Sequence, residues 1–159
     1  MLSQKILLCV LILFFCAAVS FAEEEKIFGN ISNPVYVDNV DAETVTFKLS
    51  SLHPISGEKI DIKINGIDTP EIDGKCEQEK VLAMRAKKQV AHLLRFAQMI
   101  QLNNVRQEKG FPVVADFFVD GISLKGLLIA NNLAEESEPG AKKKEWCPPD
   151  QASNVSGAL

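Results

Sequence analysis

Gly66-Ile67-Asp68-Thr69-Pro70-Glu71 closes an alternating run, Ile60-Asp61-Ile62-Lys63-Ile64-Asn65, and sets two carboxylates where a strand must end. The alternation reads as a strand. Pro70 has no N–H to give a sheet ladder and pushes Thr69 out of the helical region, so 68–71 should be a rigid turn displaying polar groups. Upstream, Asp41-Ala42-Glu43-Thr44 precedes a second alternating run, Val45-Thr46-Phe47-Lys48-Leu49. Two acidic turns at strand boundaries can meet in space, and oxygen clusters of this kind hold hard cations such as calcium. Each turn taken alone also reads as an ordinary one, the role Asp and Thr fill most often.

Outward from this centre, the N-terminus sets the compartment. Lys5 precedes an apolar run over 6–19, followed by Ser20-Phe21-Ala22 and then Glu23-Glu24-Glu25. The run fits a secretory signal and is short for a membrane span, so residues 1–22 read as a removed signal peptide. The mature chain is then exported, periplasmic or secreted, with no stable membrane insertion. Cys16 raises a lipoprotein alternative, which the bulky Phe15 before it disfavours. Residues 23–159 number 137 and carry 16 basic against 21 acidic side chains, a net charge of −5. That length suits one domain with one core. The acidic balance does not favour nonspecific phosphate binding, so any nucleic-acid role must come from a local site. Cys76 and Cys147 are the cysteines left after the signal, an even pair in an oxidising compartment, and they read as one bridge or as two separate thiols.

Strands are expected over 35–40, 45–52 and 59–65, with Pro54-Ile55-Ser56-Gly57 as a turn. Residues 77–98 contain neither Pro nor Gly, and Leu82, Ala86, Val90, Leu93 and Ala97 recur at helical spacing. Two more strands follow over 100–105 and 113–119, then Ser123 as the N-cap of a short helix over 124–131. A polar tail, 135–159, completes the chain. Five strands with a helix after the third and another after the fifth fit a β-barrel with helices (α+β), a five-stranded OB-fold. An unrelated α+β roll gives much the same pattern.

The order Asp41-x-Glu43-Thr44, Ile67-Asp68-Thr69-Pro70-Glu71, Ala115-Asp116-Phe117-Phe118-Val119-Asp120-Gly121 and Asn132-Leu133-Ala134 resembles the staphylococcal nuclease (thermonuclease) family over 31–134. Gly74-Lys75-Cys76 and Glu145-Trp146-Cys147 resemble its exported Gram-negative branch. The resemblance implies a nuclease-like OB domain over 23–134 and a tail tied back by Cys76–Cys147. It implies calcium held by Glu43, Asp68 and the Thr69 carbonyl, with Glu71 positioning or deprotonating the attacking water and Lys63 contacting the phosphate. Glu43 stands where the family has an aspartate, and its extra methylene displaces the carboxylate. Lys63 stands where the family has an arginine and lacks the planar fork that matches phosphate oxygens. A second arginine position falls on Pro112, or on Phe111 with a one-residue slip, and neither carries charge. Arg106 lies upstream, across the Gly110 turn.

Other motifs add little. His53 and His92 support neither a metal site nor a triad, no Gly-rich phosphate loop occurs, and Lys87-Lys88 reads as a solvated helix face. Asn30-Ile31-Ser32 and Asn154-Val155-Ser156 fit glycosylation acceptors only weakly. Two functions follow: a slow, weakly calcium-binding phosphodiesterase acting as a monomer on single-stranded DNA or RNA, or a non-catalytic OB-type module that binds nucleic acid or another ligand.

Overall fold

The computed structural model describes residues 25–49, 59–107, 112–138 and 140–148. The expected signal peptide (1–22), the turn at 54–57, Phe111 and the acceptor at Asn154 lie outside these residues. The element order is β1 (Lys26–Ser32), β2 (Val35–Asn39), β3 (Thr44–Lys48), β4 (Ile60–Ile64), β5 (Ile67–Asp68), α1 (Glu77–Phe96), β6 (Ile100–Gln107), β7 (Val113–Val119), β8 (Ile122–Ser123), α2 (Leu124–Ala130) and β9 (Glu135–Glu136). The fold is mixed α+β, dominated by one sheet.

Alternation builds the core. Val45 and Phe47 of β3, Ile62 and Ile64 of β4, and Val113, Ala115, Phe117 and Val119 of β7 are buried, while the residues between them are more exposed. Phe47 and Phe117 meet with ring centroids 5.7 Å apart. The strand order is β1-β6-β7-β4-β3-β2, with β8 on β7. Strands β4 and β7 run parallel because α1 and β6 separate them in the chain, and the other neighbours are antiparallel.

Of the expected α+β barrel, the mixed α+β architecture is present, and among the described residues the strand pairing runs from β1 to β2, two strands consecutive in the chain, with no direct pairing between them. Four strands were not expected: the two-residue β5, β8 and β9, and the longer β1, which pairs along β6. Its hydrophobic alternation is broken by Gly29 and Asn30, and the pairing shifts register on both sides of Gly29, which sits at φ 79°. A bulged strand of this kind has no clean period of two to read.

Helix α1 contributes Ala86, Val90 and Leu94 to the core, with Ala83 also buried, a stripe rotated slightly from the expected one. Leu82, Leu93 and Ala97 pack at its margins. The helix ends at Phe96, two residues early, because the Asp120 carboxylate takes the N–H groups of Gln98 and Met99 at 2.9 and 2.8 Å. At α2 the Ser123 hydroxyl accepts the Gly126 N–H at 3.2 Å, the capping bond its position calls for.

The chain after α2 returns to the acidic turn. β9 pairs with β5, Ile67 opposite Glu136 and Asp68 opposite Glu135. Trp146 and Cys147 are buried, and Cys147 is bonded to Cys76 with Cα atoms 5.9 Å apart. Closing a loop of 71 residues contributes about 4 kcal/mol in the chain-entropy account.

The acidic turn is fastened to the start of α1 by a buried carboxylate. Glu79 accepts the Glu71 N–H at 3.3 Å and the Lys75 N–H at 3.0 Å, and its place in the first helical turn suits its charge. A Cβ at Gly74 would lie 2.4 Å from the Glu79 carboxyl carbon. Gly74→Ala should therefore cost about 1–3 kcal/mol in urea unfolding, since Glu79 cannot move without dropping those bonds. Gly126→Ala, at an exposed helical position where the nearest atoms are 3.7 Å away, should instead gain about 0.5–1 kcal/mol.

Candidate functional site

Two turns converge at one end of the sheet. In the first, Asp41 Oδ1 accepts the N–H groups of Glu43 and Thr44 at 2.8 and 2.6 Å, fixing the entry to β3. Glu43 itself is buried, and its carbonyl takes the Ile64 N–H at 2.7 Å. Pairing of Thr44 with Lys63 brings the lysine alongside, so Lys63 Nζ meets Glu43 Oε1 at 2.8 Å. Glu43 Oε2 is buried and has no hydrogen-bond partner. Burial raises the Glu43 pKa more than Lys63 lowers it, and the charges of Asp41 and Asp68 push it up further.

The second turn follows β5. Asn65-Gly66 reverses the chain, with Gly66 at φ 72°, a conformation glycine adopts without penalty. Asp68, Thr69 and Pro70 are buried. Asp68 Oδ2 accepts the Lys144 N–H at 3.0 Å and the Trp146 indole N–H at 3.4 Å. Glu71 is half exposed and ion-paired with Lys143. That pairing raises the Lys143 pKa against the opposing effect of burial, and the fields of Glu43 and Asp68 add to it. The three expected site carboxylates thus act on one tail lysine. A cleft of about 190 Å³ opens here, lined by Asp68, Thr69, Glu71, Lys143 and Trp146 among others.

Lys63 is engaged with Glu43, and neither of the two lines this cleft. Pro112 is exposed and uncharged at the start of β7. Arg106, which the Gly110 turn was expected to carry away, lies in the same cross-strand row as Lys63: both are paired with Val114 from opposite sides. Two strand spacings put them about 10 Å apart along the sheet. The Arg106 guanidinium donates to Asn65 Oδ1 at 3.0 Å and pairs with Glu25 at 3.2 Å. His92 is exposed and packs on Phe96, ring centroids 4.9 Å apart, away from these groups; His53 is outside the described residues.

Among the described residues, Cys76, Glu79 and Cys147 also bring metal-binding atom types within 4.8 Å of one another. Their roles are structural here. Both sulfurs are spent in the disulfide and the carboxylate holds two backbone N–H groups.

Sequence reasoning missed Lys143, Lys144 and Glu79. A usable signal existed for the first two. If Cys147 is bonded to Cys76, Lys143 lies four residues from the bond and Glu71 five, so the two must come within the reach of short chain segments.

Comparison with known proteins finds no matching family model and no matching curated relative.

Because the folded-state pKa of Glu43 is raised, the native chain binds more protons than the unfolded one between the ordinary carboxylate range and the raised value. Stability contributed at this site therefore falls as pH rises through that window, and the deficit is complete above it. Glu43→Gln should melt above wild type at pH 7 in calcium-free buffer, with the gap closing as the pH is lowered below the ordinary carboxylate range. A variant that melts lower at pH 7 would mean that the Lys63 pair more than offsets burial.

Proposed function

We propose that this chain is an exported, monomeric, thermonuclease-like protein that hydrolyses phosphodiester bonds of single-stranded DNA or RNA slowly and with calcium, on an OB-type scaffold. The observation that carries the reading is the buried, unpartnered Glu43 Oε2 in the field of Asp41 and Asp68. A carboxylate oxygen withdrawn from water without a donor is costly, and a hard cation is the partner that both satisfies it and relieves the crowding of negative charge. Glu43, Asp68 and the Thr69 carbonyl offer only oxygen, the donor type calcium takes. Bound there, calcium would stabilise negative charge on a phosphate oxygen.

The chain's own groups supply the rest. Glu71, three residues after Asp68 and half exposed in the cleft, orients a water and accepts its proton. Lys63 holds a phosphate oxygen as a point charge, without the two-pronged grip of a guanidinium. In the resting arrangement Lys63 is occupied by Glu43 and Glu71 by Lys143, so each must exchange partners before it acts. Those exchanges, and the absence of charge at Pro112, account for a low rate. The same internal pairing favours a second reading, a non-catalytic module that binds nucleic acid or another ligand. No helix among the described residues is long and apolar enough to cross a membrane.

Cleavage of single-stranded DNA with calcium should be detectable, abolished by chelator, and reduced about 100-fold or more by Glu71→Gln. Lys63→Arg with Pro112→Arg should raise the rate, since one arginine on the transferring phosphate can contribute on the order of a thousandfold. Folded but inert protein in all three forms would leave the binding module.

A further inference from the structure

We propose that residues 140–147 are an autoinhibitory strap: the Lys143 ammonium is a tethered counter-ion lying where it opposes a divalent cation, and the strap is latched by Cys76–Cys147. This rests on reading Glu43, Asp68 and Thr69 as the cation site and adds its regulation.

The strap is fixed at several points. Lys144 gives its backbone N–H to Asp68 and its ammonium to Glu135, and lies 4.3 Å from the centroid of the Trp146 ring. Trp146 is buried and points its indole N–H at the same Asp68 oxygen. Glu145 pairs with Lys75 at 3.2 Å, and the next residue but one is the disulfide. Between these anchors Lys143 lines the cleft, and its ammonium meets Glu71.

The consequence is electrostatic. Each carboxylate expected to serve the reaction is engaged from within the chain: Glu43 by Lys63 at one oxygen only, Asp68 by two N–H groups of the strap, and Glu71 by Lys143. A cation entering beside Asp68 must overcome the repulsion of the ammonium, and Glu71 cannot take a proton from water while it holds Lys143. The pair is exposed on both sides, so it is weak by itself. Tethering makes it persistent, because the latch keeps the lysine at a high effective concentration beside the site. A divalent cation can still displace it, and a phosphate chain can then take up the released ammonium. The strap thus lowers cation affinity until cation and polyanion arrive together.

Trp146 is the chain's single tryptophan, so unlabelled fluorescence reports on the strap. Calcium would be titrated into the full disulfide-bonded chain by calorimetry and Trp emission, using wild type, Lys143→Met and Lys142→Met. Lys142 is exposed on the same strap and controls for loss of one positive charge. The expected result is calcium affinity about three- to tenfold higher in Lys143→Met, less than twofold changed in Lys142→Met, and a red shift of wild-type emission on calcium binding. Calcium binding that is equal or weaker in Lys143→Met overturns the strap and leaves the cation site standing. Absence of calcium binding in all three folded proteins overturns both.

Discussion

Glu43, Asp68 and Glu79 are carboxylates withdrawn from water within one small region, and the neighbouring chain is arranged around their need for partners. Glu79 is satisfied by backbone N–H groups of the acidic turn, which is how the start of α1 and that turn become one unit. Asp68 is satisfied by the returning tail, which pulls Trp146 and Cys147 inward. Glu43 is satisfied by half, through Lys63, and its second oxygen has no partner. A buried charge left incompletely paired lowers stability, and proteins tolerate that cost chiefly at sites that bind something. The contrast between the fully served Glu79 and the half-served Glu43 separates a structural carboxylate from a functional candidate.

The sheet makes this possible by supplying rigidity where the turns cannot. Lys63 is held at Glu43 because Ile62 and Ile64 on either side of it are locked in the core, which fixes the face it presents. Val114 sits between Lys63 and Arg106 in one cross-strand row, so two cations on different strands share the outward face near the same end of the sheet. Packing energy therefore determines charge geometry: the apolar alternation decides which charged residues can meet.

The alternating runs made β3, β4 and β7 legible, and Ser123 announced α2, because strand period and capping chemistry are local properties. The two acidic turns could be read for the same reason, since Pro70 and Asp41 act on their own backbone neighbours. The bulged β1 was not legible, its period being broken at Gly29. Nor were the partners of the site carboxylates. Lys143 is 72 residues from Glu71 and belongs to a polar tail that in sequence resembles any solvated segment. Only the disulfide and the buried Trp146 make its address specific, and neither has a periodic signature.

A cation shared by Glu43 and Asp68, as proposed, is open to direct measurement. Terbium(III), an oxygen-seeking ion like calcium, emits when excited through a nearby indole, and the Trp146 nitrogen is 3.4 Å from Asp68 Oδ2. Titrating terbium into the oxidised full chain while exciting Trp146 measures occupancy of that position directly. The account predicts saturable sensitised emission that calcium competes away and that is lost in folded Asp68→Asn and Glu43→Gln. No sensitised emission, or emission indifferent to both substitutions, would contradict it.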